Sequence, residues 1–345
     1  MARFKIDKYC KDCSRDRTNR VRCGESGFRD RINRERRGKG GSRASGNRRR
    51  MRWICVAMRR RAVRIAALVL TAVLLGGLFC FRPVTAAPTV AKPGIRLPVV
   101  MYHAILEEPA RQGKYVISPS LFESDLQYLR QQGYTTVTVA DLLAYVREGT
   151  ALPEKPIMLT FDDGYYNFYC YAYPLLREYE MKAVFAPIAY YSEFYSANAT
   201  EADHPLYSHV TWAQLREMAD SGAVEVQNHS YAMHSSTKGE RKGASRQSGE
   251  SAAAYALALR ADLQTAQELL TLHTGKTPTA FVYPFGAVSR EAKDILKSLG
   301  FSATLVCAEK INILSRDPEC LFGLGRYLRP SGSTPEAFFA RLTGE

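Results

Sequence analysis

Asp162 and Asp163 stand side by side after an apolar run, Ile157-Met158-Leu159-Thr160-Phe161, and are followed by Gly164. Asp-Gly pairs are common in turns. Two adjacent carboxylates repel, however, and one pKa rises unless a cation sits beside them. A metal resolves the conflict if one Asp ligates and the other stays free as a base. His229 and His234 are five residues apart. On a helix that spacing is about 500°, roughly 140° out of register; on a strand the two side chains point to opposite faces. The pair can meet one ion only from a loop. Asp163, His229 and His234 together make a two-His, one-carboxylate set with positions left for water and substrate. That is a hydrolytic zinc arrangement which also suits iron or another transition metal. Read separately, the same histidines are surface or capping residues. His103, after Met101-Tyr102, is open to two readings, a core histidine or a member of the site. His204, His209 and His273 lie in polar or helical surroundings and receive no role.

The elements around these residues alternate. Leu97–Tyr102, Ile157–Phe161, Ala183–Ile188, Ala223–Gln227, Ala280–Tyr283 and Ser302–Val306 read as strands. Helices are predicted from a Ser120/Glu123 capping box to Gln132, from Thr138, over Tyr171–Tyr179, from Thr211 to Gly222, over Ala252–Leu272 and over Ser289–Leu299. Residues 237–251 read as a polar loop. At least six strands alternating with helices imply a parallel sheet covered on both faces or closed into a barrel. The polar residues at 162–163, 228–229 and 284–286 fall at strand ends, where such folds place their chemistry. No Gly-x-Ser-x-Gly elbow or phosphate loop occurs, which removes two common enzyme classes.

The net charge of +14 is unevenly spread. Residues 1–64 hold 23 Lys and Arg against 6 Asp and Glu, which leaves 25 against 28 for residues 65–345. The folded part is near neutral and offers no basic surface for a phosphate backbone. Residues 1–63 read as a basic, disordered cytoplasmic tail, or one partly untranslated, since Met51 and Met58 are later starts. Cys10, Cys13 and Cys23 supply only part of a zinc knuckle. Ile65–Phe81 is 17 uncharged residues, about 25 Å of helix, flanked by Arg64 and Arg82. Residues 64–82 are therefore a transmembrane or signal segment, residues 83–96 a linker, and 97–345 the exported domain. The anchor is retained, placing the domain outside the cell, or is cleaved near Ala86 to release it. Of the exported cysteines, Cys170, Cys307 and Cys320, one pair such as Cys307–Cys320 is open to oxidation.

Thr160-Phe161-Asp162-Asp163-Gly164, with Asn228-His229-Ser230-Tyr231-Ala232-Met233-His234 downstream, resembles the polysaccharide deacetylase family, the NodB-homology or carbohydrate esterase family 4 proteins. Leu97-Pro98-Val99-Val100-Met101-Tyr102-His103 and Phe281-Val282-Tyr283-Pro284-Phe285-Gly286 are similar to motifs of its poly-N-acetylglucosamine deacetylase branch. The resemblance covers about residues 97–330. It implies an α/β fold, a distorted (β/α) barrel of about seven strands. It implies one divalent metal, zinc first with cobalt, nickel or iron as alternatives, bound by Asp163, His229 and His234. Asp162 would be the base, His103 the acid, and the backbone N–H of Tyr165 an oxyanion donor. Tyr102, Tyr166, Tyr283 and Phe285 would line the substrate groove. The sequence departs from the family at Asn228 and at Ala232, where an Asp is usual. It also lacks the arginine before Tyr283-Pro284, so Arg326 or Arg329 would orient Asp162 instead. The expected reaction is hydrolysis of N-acetyl groups from N-acetylglucosamine-containing polysaccharide at a cell surface or wall. The expected partners are that glycan and a membrane, with no nucleic acid and no obligate protein partner. A catalytically weak glycan-binding protein of the same fold is the alternative reading. A membrane-anchored structural domain with a nucleic-acid-binding tail is a third, which the neutral exported domain argues against.

Overall fold

The protein is described by a computed structural model over residues 94–343. The tail 1–63, the apolar segment 64–82 and residues 83–93 lie outside the described residues. Among the described residues no helix is long and apolar enough to cross a membrane.

The described chain opens on β1 (Ile95–Leu97) and β2 (Val99–Tyr102), separated at Pro98, which has no N–H to give a ladder. Short β3 (Ala104–Ile105) and β4 (Val116–Ile117) precede α1 (Pro119–Gln131). The cap of α1 is not Ser120 but Ser118, whose hydroxyl accepts from the Leu121 N–H at 3.0 Å. Pro119 decides this, because its fixed φ and missing N–H suit the first helical position. After β5 (Thr135–Thr136), Thr138 and Asp141 form the expected capping box of α2 (Val139–Glu148). Next come β6 (Pro156–Asp163), a single π turn at Phe168–Ala172, α3 (Tyr173–Glu178) and β7 (Ala183–Pro187). Then follow α4 (Ala189–Ala197), α5 (Trp212–Asp220) with its Thr211/Gln214 box, and β8 (Val224–Val226). The remainder is α6 (Ala252–Thr274), β9 (Ala280–Val282), α7 (Ala292–Ser298), β10 (Ala303–Leu305), β11 (Asn312–Leu314), β12 (Phe322–Leu324), β13 (Tyr327–Leu328) and α8 (Pro335–Thr343). Sequence pattern missed β3, β4, β5, α4, β11, β12, β13 and α8. These strands are only two or three residues long, so their partners rather than any periodicity specify them.

β13, β2, β6, β7 and β8 lie side by side in that order, all parallel, and β5 pairs with the start of β6. A second parallel sheet runs β12-β10-β9. One bridge, Asn228 to Phe281, links the two. The expected barrel is thus open: among the described residues no closed barrel forms, and no ladder joins β12 to β13. Gly325 and Arg326 leave the strand path there, and the Arg326 N–H bonds to the Ala308 carbonyl at 3.0 Å.

All eight residues of β6 are buried, as expected of a strand covered on both faces. Ile157, Leu159 and Phe161 join a core with α1, α5, α6 and α8. Met158 joins a second core with α2, β9 and β10. This alternation places Thr160 and Asp162 on the Met158 face.

Candidate metal centre

The site is assembled at the C-terminal ends of the parallel strands. β2 pairs with β6 so that Tyr102 lies opposite Phe161, which brings the next residue, His103, beside Asp162. β6 ends in a turn with Asp163 at φ +71° and Gly164 at φ +89°. A Cβ at Gly164 would stand 2.8 Å from the Pro187 Cβ, so the turn requires glycine. Ser230 (φ +82°) and Phe285 (φ +57°) also hold positive φ. Of the five such non-glycine residues among those described, Asp163 and Phe285 line one cleft and Ser230 directly follows the cleft residue His229, and strained backbone often serves a site.

The Asp163 Oδ1 lies 3.1 Å from the His234 Nε2 and 3.5 Å from the His229 Nε2. One ligand atom from each of the three lies within 4.8 Å of the others. The His229 Nδ1 is 2.8 Å from the Val282 carbonyl. A carbonyl only accepts, so Nδ1 carries the proton and Nε2 keeps its lone pair toward Asp163, the orientation a metal-ligating imidazole needs. The donor set therefore fits a divalent cation. Burial raises the Asp163 pKa, but the adjoining imidazoles of His229 and His234 outweigh it and hold the carboxyl well below its usual range.

Asp162 is 3% exposed and faces Arg326, which is fully buried. The guanidinium makes two parallel bonds, Nη1 to Oδ1 at 2.6 Å and Nη2 to Oδ2 at 2.8 Å. Its Nε donates to the Val306 carbonyl, and Nη1 also reaches the Thr160 hydroxyl at 3.2 Å. Burial raises the Asp162 pKa, and the charge of Arg326 with its hydrogen bonds overcomes it, leaving the carboxyl below its usual value. His103 lines the same cleft, and its buried Nδ1 has no hydrogen-bond partner. Burial lowers its pKa while Asp162 and Asp163 pull the other way.

The antiparallel bridge between Tyr165 and His209 is made by Tyr166 N–H to the Ser208 carbonyl and Val210 N–H to the Gly164 carbonyl. It does not use the Tyr165 N–H. The cleft has a volume of about 800 Å³, and Tyr165 and Phe285 line it. Phe285 is 40% exposed, and its ring lies 4.5 Å from that of His234.

Other expected residues lie elsewhere. Tyr102 is a core residue stacked on Phe161, with its hydroxyl bonded to Asp125. Tyr283 is buried against Phe281. Tyr166 packs on Tyr169 and does not line the cleft. Arg329 does not meet Asp162: it makes a buried double bond pair with Asp125, at 2.8 and 2.7 Å. Two arginines three residues apart diverge because Arg326 precedes β13 and Arg329 follows it, where its N–H bonds to the Met101 carbonyl. Cys170, Cys307 and Cys320 are all free, so no Cys307–Cys320 bond is present. Sequence reading passed over Asp125, Asp262 and the cleft residues Lys114, Tyr115, Lys242 and Glu309. Nothing in their local spacing marks them, since each acquires its place only through a distant contact.

The fold and site define a parallel α/β protein with a two-histidine, one-aspartate centre open to a cleft. Residues 149–304 match the family model for polysaccharide deacetylase. It is 29% identical over 217 residues to the poly-β-1,6-N-acetyl-D-glucosamine N-deacetylase of Escherichia coli K12, which covers 59% of this chain and 32% of the relative. It is 24% identical over 196 residues to the protein of the same description from Staphylococcus aureus MRSA252, covering 57% of this chain and 62% of the relative. The chain thus spans less than two thirds of either relative. A solved de-N-acetylase from Aggregatibacter actinomycetemcomitans superposes with a TM-score of 0.59 at 28% identity, over 69% of this chain and 97% of that one.

Proposed function

We propose that this protein is a metal-dependent N-deacetylase acting on polymers of N-acetylglucosamine at the cell surface, with zinc as its ion. The observation that carries the reading is the pairing of two aspartates with different surroundings: Asp163 faces two imidazole Nε2 atoms, while Asp162 is held apart by Arg326. Relatives named for N-deacetylation of poly-β-1,6-N-acetyl-D-glucosamine support the substrate class. The apolar segment 64–82 anchors the domain outside the membrane in this reading.

Asp163, His229 and His234 would hold a divalent ion, which would supply Lewis acidity to the acetamide carbonyl and lower the pKa of water. The chain's own residues do the rest. Asp162, kept ionised and oriented by Arg326, accepts a proton from the attacking water. The Tyr165 N–H donates to the carbonyl oxygen as negative charge gathers there. His103 delivers a proton to the sugar nitrogen as the C–N bond breaks, so acetate and a free amine leave. Phe285 offers a face for a sugar ring at the mouth of the cleft.

The test is acetate release from poly-N-acetylglucosamine, peptidoglycan and chitin oligomers, by chelated protein with and without added Zn²⁺. Zinc-dependent release, greatest on poly-N-acetylglucosamine, is expected. Failure of zinc-loaded protein to release acetate from any of the three overturns the proposal.

A further inference from the structure

The loop that carries both metal-centre histidines has a backbone of unusual shape. Ser230 holds φ +82°, a conformation that costs a non-glycine residue energy unless neighbours enforce it. A left-handed residue followed by successive exposed N–H groups makes a concave anion-binding nest. Here the nest is filled from within the chain. The Asp262 carboxylate accepts the Tyr231 N–H on Oδ1 at 2.9 Å and the Ala232 N–H on Oδ2 at 2.8 Å. The Met233 N–H also favours its charged form.

Asp262 belongs to α6, about thirty residues away in sequence, and α6 grips the other end of the loop as well. Asn228 Nδ2 donates to the Leu263 carbonyl at 3.3 Å and to the Gln267 Oε1 at 3.1 Å, while Asn228 Oδ1 accepts the Ser230 N–H at 2.8 Å. One helix therefore fixes the backbone on both sides of His229 and immediately before His234. Ala232 has no side chain that could shape this loop locally.

We propose that Asp262 is a positioning residue of the metal centre: by filling the nest at 231–233 it sets the approach of His229 and His234 to one ion, and so sets metal affinity. The inference rests on the proposed function, since it presumes that the three residues bind metal. It reaches no reacting atom itself. Its effect is expected in binding before chemistry, because groups behind metal ligands typically change affinity about 10- to 100-fold.

The experiment measures the Zn²⁺ dissociation constant of the full chain by competition with a chromogenic chelator. Wild type, Asp262→Asn, Asp262→Ala and, as a charge control on the same helix, Glu268→Gln are compared. Asp262→Asn should bind Zn²⁺ about 10- to 100-fold more weakly with its far-UV circular dichroism unchanged, Glu268→Gln should match wild type, and excess Zn²⁺ should restore most acetate release. Affinity within twofold of wild type in folded Asp262→Asn overturns the inference while leaving the metal centre intact. A wild type that binds no Zn²⁺ overturns the proposed function and this inference together. Should the variants fail to fold, amide hydrogen exchange on metal-free wild type decides: protected N–H groups at 231–233 support the nest, and freely exchanging ones overturn it.

Discussion

Arg326 reaches Asp162 across 164 residues of chain and meets both of its carboxylate oxygens, in a setting where neither side chain touches much water. Paired in this way, a carboxylate is aimed as well as ionised, because the planar fork fixes its plane.

Arg326→Ala should cost about 3–5 kcal/mol of stability, since it leaves a buried carboxylate without its partner. Arg326→Lys keeps the charge but loses the fork, and should fold with reduced turnover at unchanged zinc content. Urea denaturation and acetate release check the two effects separately. Wild-type turnover in Arg326→Lys would show that the orientation of Asp162 is irrelevant.

The two aspartates should respond differently to the same change. Asp162→Asn should retain zinc and lose about 10²–10⁴-fold in turnover, the usual worth of a positioned proton acceptor. Asp163→Asn should lose zinc, with partial recovery at high metal concentration. His103→Ala should keep zinc and slow amide cleavage more than cleavage of an acetate ester, whose leaving oxygen depends less on protonation. Elemental analysis beside turnover reads all three. Equal zinc loss in both aspartate variants would end the division of labour.

Asp125 and Arg329 are both fully buried and paired, and the Tyr102 hydroxyl completes the group at 3.0 Å. Asp125→Ala strands the guanidinium and should destabilise by about 3–5 kcal/mol. Zinc affinity of the folded fraction should not change, because the cluster ties α1 to the segment after β13 and does not line the cleft. A variant as stable as wild type in urea would contradict this.

Glu225 supplies a pH-dependent test away from the metal. Its carboxylate accepts the Val139 and Ala140 N–H groups at the start of α2, at 2.6 and 3.0 Å. Burial nevertheless raises its pKa from 4.5 to about 7, against the pull of those two bonds. Between these values the folded chain binds more protons than the unfolded chain. Its contribution is therefore fully present below about pH 4.5 and is lost as pH rises through about 7. Relative to Glu225→Gln, wild type should lose stability over that window, by at most about 3 kcal/mol. Urea midpoints measured from pH 4 to 8 check it, and parallel curves for the two proteins would refute it.

The sequence alone determined what is local. The Asp-Asp-Gly turn, the loop placement of a histidine pair five apart, and most strands and helices follow from short-range spacing, apolar periodicity and caps such as Thr138/Asp141. It also named Arg326 and Arg329 as rivals for Asp162 without a means to choose between them. Tertiary structure made that choice, because partners 164 and 204 residues apart are set by which strand end each arginine flanks. The same cause moved Tyr102 and Tyr283 from an expected groove into the core. A tyrosine near a polar motif has no signature of which face it takes until the sheet register is set. Asp262 was silent for a like reason. Its partners are backbone N–H groups, which every residue type but proline carries, so only the approach of α6 to the histidine loop reveals its place.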